Sequence, residues 1–375
     1  MRNSLMVKMS STLKSRWIML AVVICFIILL TACGGSSEGS AVADDTDQEE
    51  IEDSDAVDEE EAGTSSEEVE VTDITLWGVI DTQVSAQQLV AEELGFFEEE
   101  GLNVTNHIVQ SGPDIGPVIA SGDAQTSFET TITNISLSAN NVPTVIVAPM
   151  SNISGTQAVI AHPDLEINSA KDIEGKTIGM VQGAGVSIAL HNMAQDLGVD
   201  MDTVNFINMS PTDQIAALEN GDIDIMAAWE PWITIGLDQD AQFLFSGRIS
   251  ELPERQGDVD WMQFYSTFQV TEEFLENNPN TVKAILRALK RATDFINDNR
   301  EEAIDILDEK LENLPREQVE EIMTRNIYSM EVTDSMREGS EVIADFMYEM
   351  DNVSRIPDFE EFTNFELLEE VLNED

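Results

Sequence analysis

From residue 73 to residue 270 the apolar positions switch repeatedly between the short runs of strands and the three-to-four spacing of helices. Residues 74–80 read as a strand, and 83–94 as a helix with Ala86, Leu89, Val90 and Leu94 on one face. Gly95 and Gly101 end that helix and lead to a second strand near Val104, so the segment opens as a βαβ unit. A helix is predicted over 112–121, a strand reaching Phe128 after the turn Gly122-Asp123, and a strand over 144–148. A second α/β series follows Pro163: a helical turn at 170–176, a strand at 177–181, a glycine-rich connection at 182–187, and a helix over 188–197 that Ser187 can cap and Gly198 ends. Ser210, Pro211 and Asp213 start the next helix, with proline at its first position. Asn220-Gly221-Asp222 closes it, and the run Ile223, Ile225, Met226, Ala227, Ala228 suits a buried strand of a mostly parallel sheet. Residues 261–270 are mixed. From Glu272 onward the pattern is helical, with Val282, Ile285, Leu286, Leu289 and Ile296 in one stripe and Pro279, Pro315 and Pro357 as punctuation.

Two helix-to-strand turns echo each other, Ala120-Ser-Gly-Asp-Ala124 and Glu219-Asn-Gly-Asp-Ile223, and imply two similarly wound halves. After the second, Pro231 stops the strand and places Trp229 at its carboxyl end, where open α/β sheets bind ligands. Trp229 and Trp232 are therefore either a ligand platform with its support or ordinary core aromatics. The turn at 182–187 exposes backbone N–H groups at a helix N-terminus and can serve an anion, or simply allow a tight turn. It has neither the nucleotide P-loop nor the dinucleotide fingerprint.

Charge narrows the choice of partner. The chain carries 18 Lys+Arg against 73 Asp+Glu, and Arg2, Lys8, Lys14 and Arg16 all lie at the extreme N-terminus. Nucleic acid and anionic membrane surfaces are excluded as partners, and a salt-rich working medium is expected, because such a surplus repels itself unless screened. No Lys or Arg occurs between Trp17 and Ala170, so the first lobe offers a ligand no basic side chain. The two cysteines, Cys25 and Cys33, are N-terminal, and His107, His162 and His191 have no metal-ligand spacing. Neither a disulfide framework nor a metal or other cofactor is expected.

The N-terminus has the parts of an export signal: a basic start, an apolar run over 17–30 that is short for a membrane span, then small residues. Leu30-Thr-Ala-Cys33-Gly-Gly35 resembles the lipobox of bacterial lipoproteins, which implies cleavage before Cys33 and lipidation of that cysteine. The expected division is a signal over 1–32, and a lipidated, disordered tether over 33–72 whose residues 36–72 hold 16 acidic side chains and no basic one. As a flexible coil those 37 residues reach roughly 35 Å. Localisation is then the outer face of the cell membrane.

Four segments in order carry a family resemblance: Leu94-Gly-Phe-Phe-Glu-Glu-Glu-Gly-Leu102, Ser121-Gly-Asp123, Lys171-Asp-Ile-Glu-Gly-Lys176, and Glu219-Asn-Gly-Asp-Ile-Asp224 leading into Trp229-Glu-Pro-Trp232. Together they resemble the substrate-binding proteins of ABC importers for nitrate, sulfonates, taurine and thiamine precursors. The resemblance implies an α/β, two-lobed type II periplasmic-binding-protein-like fold with a ligand cleft between lobes and a helical C-terminal part. Lobe one is expected over 73–160 and 265–375, lobe two over 161–264, in a monomer that closes on a small solute and then engages a membrane permease. Carried over by position, the ligand contacts are Trp77, Asp81, Thr82 and Gln83; Phe128, Glu129, Thr130 and Thr131; Ser154 and Gly155; Gln182, Gly183, Gly185 and Ser187; and Trp229 and Glu230. The acids Asp81, Glu129 and Glu230 depart from what a small oxyanion needs, and equally suit an amino or cationic heterocyclic ligand. A pyrimidine-synthesising enzyme of the same fold is the rival class. Its fungal members carry a cysteine-rich iron-binding motif, whereas no cysteine follows Cys33 here, and a non-enzyme is expected. A sensor's extracellular receptor is the third reading.

Overall fold

The computed structural model describes residues 68–109, 112–311 and 314–374; the expected signal, Cys33 and most of the expected tether lie outside them. In chain order the first series is β1 (Asp73–Val79), α1 (Ala86–Glu93), α2 (Phe96–Glu99), β2 (Asn103–Val109), α3 (Ile115–Ser121), β3 (Thr126–Thr130), α4 (Thr131–Ala139) and β4 (Thr144–Asn152). The second is β5 (Gln157–Ala161), β6 (Thr177–Met180), α5 (Val186–Leu197), β7 (Asn205–Asn208), α6 (Pro211–Glu219), β8 (Ile225–Trp229), α7 (Trp232–Leu237), β9 (Gln242–Ser246), β10 (Ile249–Ser250) and β11 (Gly257–Asp258). The chain returns with β12 (Tyr265–Thr271), α8 (Glu272–Asn277), α9 (Pro279–Asp298), α10 (Arg300–Lys310), α11 (Arg316–Thr324), β13 (Ile327–Tyr328), α12 (Asp334–Glu349) and α13 (Glu366–Leu372).

These strands form two sheets, ordered β13-β4-β12-β3-β1-β2 and β11-β10-β9-β5-β8-β6-β7. The echo in the sequence has a structural counterpart. In each sheet three parallel strands run in the order second, first, third (β2-β1-β3 and β7-β6-β8), and the third then pairs antiparallel with a strand fed from a crossing, β12 or β5. The sheets are therefore mixed rather than mostly parallel. Gly122 and Gly221, the glycines of the two echoed turns, both adopt positive φ, at 83° and 72°, a conformation that glycine takes without steric cost.

The chain passes from the first sheet to the second through Ile153–Thr156, and β5, of which the sequence reading places 157–160 in lobe one, is a central strand of the second sheet. It returns through 259–264. Ser154 ties the two crossings together: its hydroxyl accepts from the Phe264 N–H at 2.8 Å, and its carbonyl accepts from Gly247 N–H at 3.0 Å.

One apolar cluster fills the first sheet and its helices, with Leu76, Phe97 and Phe128 meeting the α9 stripe Val282, Ile285, Leu286, Leu289 and Ile296, all fully buried as the periodicity predicts. A second draws on both sheets and on α12, joining Ile135 and Ile146 to Val159, Ile178, Leu190 and Met193, and to Met336 and Ile343. A third packs α6 and α7 on the second sheet through Leu218, Met226 and Ile233. The end of the expected tether is not free chain. Glu70 accepts from the N–H groups of Asn280 (3.1 Å) and Thr281 (2.8 Å), so a carboxylate sits at the N-terminus of α9, where the helix dipole favours it.

Candidate functional site

The carboxyl ends of β1, β3 and β8 meet between the two sheets. Past β1 the chain turns into α1, and Asp81 governs that turn: one carboxylate oxygen accepts from the N–H groups of Gln83 (2.9 Å) and Val84 (2.8 Å). Burial pushes Asp81 up to about 6 even against those two bonds. Thr82 is fully buried; its carbonyl accepts from the Tyr328 hydroxyl at 2.9 Å, while its own hydroxyl has no partner. Gln83, also buried, reaches across to the other sheet and donates to the Glu230 carbonyl at 3.0 Å.

At the end of β3 the strand alternation sends neighbours opposite ways. Phe128 goes into the first core, its ring 4.9 Å from Phe268. Glu129 turns into the crevice and is 1% exposed. One of its carboxyl oxygens accepts from the Thr133 hydroxyl at 3.0 Å, and the other has no partner. Burial, the largest cause, pushes Glu129 up to about 8, with the nearby Asp81 charge adding to it. Thr130 is the residue before α4 and makes no side-chain cap; Thr131 is fully buried with an unpartnered hydroxyl.

Glu230 follows β8 in a cis peptide with Pro231 and is almost fully buried. Its carboxylate accepts from Thr234 N–H at 3.0 Å and is ion-paired with Arg325, which also donates to the Thr234 hydroxyl (3.0 Å) and to Glu321 (2.8 Å). Burial lowers the Arg325 pKa from its ordinary value, although a guanidinium remains charged. Sequence reasoning missed Arg325, Asn326 and Tyr328, which arrive from the short β13 region inside a stretch whose pattern reads as helical. It also missed Arg300, whose guanidinium lies over the Tyr328 ring at 5.3 Å. The expectation that the first lobe offers no basic side chain is thereby corrected: the returning chain brings Arg300 and Arg325 to it. Nothing in the local sequence around Arg325 marks it, because its partner lies in the other half of the chain.

The other expected contacts are spread more widely. The half-buried Trp77 packs on the first core with its ring 3.9 Å from that of His107 on the neighbouring strand. Trp229, half-buried, lies with Trp232 against the third cluster. Ser154 and Gly155 belong to the first crossing, where a Cβ on Gly155 would fall 2.5 Å from the Arg325 carbonyl oxygen. In the glycine-rich turn, the Gln182 N–H donates to Asn208 at 3.0 Å, Gly183 has φ of +79° against Asn352, and Gly185, not Ser187, is the residue before α5. The Ser187 hydroxyl bonds the Ala184 carbonyl instead. A Cβ on Gly185 would lie 3.3 Å from Ile132 at the start of α4, so this turn does meet the β3–α4 connection across the crevice.

The structure thus gathers Asp81, Thr82, Gln83, Glu129, Thr130, Thr131 and Glu230, and sends Phe128 to a core and Trp77 to the face it shares with His107. Two surface depressions, of about 400 and 290 Å³, include none of the expected contacts; the larger lies beside Arg325, between α7 and α11. Among the described residues no group of three or more His, Cys, Asp or Glu could hold a metal ion, and no helix is long and apolar enough to cross a membrane.

The profile of the family described as NMT1/THI5 like matches residues 82–303. A Bacillus subtilis (strain 168) protein, provisionally named as aliphatic sulfonates-binding, is 22% identical over 310 residues, 76% of this chain and 85% of its own. The 4-amino-5-hydroxymethyl-2-methylpyrimidine phosphate synthase of Aspergillus parasiticus is 25% identical over 237 residues, 60% of this chain and 66% of its own. Among solved structures, the periplasmic aliphatic sulphonate binding protein SsuA from Escherichia coli superposes with a TM-score of 0.67 at 17% identity, covering 78% of this chain and 92% of that one, which shows a common fold.

Proposed function

We propose, from the premise that the chain belongs to the NMT1/THI5-like family and has the two-lobed α/β fold of periplasmic binding proteins, that it is the extracellular solute receptor of an ABC importer. In this reading it captures a small nitrogen- or sulfur-containing solute of the sulfonate, taurine or nitrate kind between the two sheets. Closure removes the solute from water, and the closed form is what a membrane permease engages. The observation that supports this best is a set of buried, unpaired polar groups at strand ends. Three of the buried polar atoms without partners, on Thr82, Glu129 and Thr131, sit at or just after the ends of the adjacent strands β1 and β3, and Gln83, next to Thr82, bridges to Glu230 of the other sheet. Buried polar groups are paired in nearly all folded proteins, so orphans gathered at a strand-end crevice mark a place for a ligand.

Lipidation at Cys33 and the acidic segment after it would hold such a receptor near its permease, and the excess of acidic over basic residues fits a saline medium. The synthase match supports a second reading, a binder of a thiamine-pyrimidine precursor, or an enzyme that makes one. Catalysis is disfavoured because both cysteines, Cys25 and Cys33, precede the matched region. Mass spectrometry of the small molecule that co-purifies, followed by calorimetric titration of that molecule, tests the receptor reading. A bound solute that is released unchanged supports it; a solute converted to product on incubation supports the enzyme instead.

A further inference from the structure

Glu129 is a carboxyl group that the fold leaves half used. One oxygen takes the Thr133 hydroxyl, the other takes nothing, and the residue is 1% exposed. Two further buried, unpartnered hydroxyls belong to the same strand-end connections: Thr131, two residues on, and Thr82, beyond the end of β1, which pairs with β3 at Trp77 and Ser127. All three can accept a hydrogen bond. The charged group acting on Glu129 from the β1–α1 turn is the acid Asp81; its carboxyl also accepts from the Thr133 hydroxyl and, at 3.4 Å, from the Thr130 N–H, and its carbonyl accepts from the Thr267 hydroxyl at 3.2 Å. Arg325 is engaged with Glu230, Thr234 and Glu321, whereas Arg300 lies over the Tyr328 ring with its Nη1 buried and unpartnered; neither is hydrogen-bonded to Glu129. A bare oxyanion placed here could take hydrogen bonds from the threonine hydroxyls and from the protonated Glu129, but would gain no opposite charge from Glu129 and would lie near the acid Asp81. A nitrogen carrying protons would meet acceptors it can satisfy.

We propose that Glu129, flanked by Thr82 and Thr131, is the acceptor for a protonated nitrogen of the bound solute, so that the cleft selects an ammonium, amidinium or aminopyrimidinium group over a bare oxyanion. This rests on the solute-binding reading of the same crevice and narrows it to one chemistry. It also gives binding a proton signature. In the free protein burial holds Glu129 protonated to about pH 8. A cation against it favours the carboxylate, so the carboxyl O–H breaks and its proton passes to solvent as the ion pair forms.

The test is isothermal titration of the full-length protein at pH 7 with two pairs of probes, taurine against ethanesulfonate and 4-aminopyrimidine against nitrate. The expected result is binding of a nitrogen-bearing probe, with its counterpart lacking protonated nitrogen weaker by roughly 30-fold, the worth of one hydrogen bond to a charged group. With taurine, whose amine is already protonated at pH 7, the binding enthalpy should change with the ionisation enthalpy of the buffer, reporting a released proton. Glu129→Gln should lower that affinity by about the same factor while the melting temperature does not fall. Ethanesulfonate or nitrate binding as tightly as its partner, or unchanged affinity in Glu129→Gln, overturns the inference and leaves the receptor reading standing. Failure of all four probes also overturns the inference, and the receptor reading falls with it only if no co-purified solute is found.

Discussion

Replacing Arg325 by methionine removes the cation from a carboxylate that the fold has fully withdrawn from water. The Glu230 side chain is 0% exposed and that of Arg325 15%, so little solvent is at hand to compensate. Losing one partner of a buried pair costs about 3–5 kcal/mol. The Thr234 N–H, 3.0 Å from the other carboxylate oxygen, remains and favours the lower half of that range. With an unfolding entropy of about 2.1 cal/mol/K per residue over about 300 folded residues, each kcal/mol lowers the melting temperature by about 1.6 °C, and the expected loss is ~5–6 °C. Scanning calorimetry at pH 7 measures it directly. The pair also links α11 to the residue after β8, so the variant should show a larger radius of gyration in scattering without added solute. Combining Arg325→Met with Glu230→Gln should recover much of the loss, because the buried charge goes with its partner. A melting temperature within about 1 °C of the parent in the single variant, where the expected loss is ~5–6 °C, would refute the view that the ion pair with Arg325 is what lets Glu230 be buried.

Other consequences follow from the same contacts. Below pH 4.5 Glu129 is protonated folded or unfolded; as pH rises to about 8 the unfolded chain gives up that proton and the folded one does not. Stability of the ligand-free protein should therefore fall across that window by up to about 1.4 kcal/mol per pH unit, and Glu129→Gln should flatten this in pH-dependent denaturant melts; an identical slope in both proteins defeats the assignment. Gly155→Ala places a Cβ 2.5 Å from the Arg325 carbonyl oxygen, a backbone atom that cannot swing away, and should cost about 1–3 kcal/mol in urea unfolding. Ser154→Ala leaves the buried Phe264 N–H without its acceptor, for a similar loss of about 1–3 kcal/mol, and hydrogen exchange at Phe264 should quicken. Thermal melts in increasing NaCl should shift upward if the acidic excess is self-repelling; a flat or falling series contradicts a saline habitat.

What could be read from the chain alone follows from which interactions are local. The α9 stripe and the Gly-Asp turns were legible because periodicity and positive φ are properties of a few adjacent residues. The strand Tyr265–Thr271 was not. It lies between β3 and β4, so Ser266, Thr267 and Gln269 are fully buried and pair with one another's neighbours, Gln269 donating to the Ser127 hydroxyl at 2.7 Å. A buried polar strand of this kind looks like a loop until its partners are known. In the site, the rule that ligands gather at strand ends located Asp81, Glu129 and Glu230. The same alternation that turns Glu129 inward turns Phe128 away, and an aromatic wall in the crevice was expected from a residue that belongs to a core. Arg325 stands 95 residues beyond Glu230, and no pattern short of the folded structure joins them.

A small solute held between the two sheets is what the receptor reading requires. Native mass spectrometry of the gently purified protein tests it most directly. Added mass from one small molecule is expected, lost after unfolding and refolding and much reduced in Glu129→Gln prepared in parallel. A bare protein mass, together with a radius of gyration unmoved by a small-molecule extract, would contradict it.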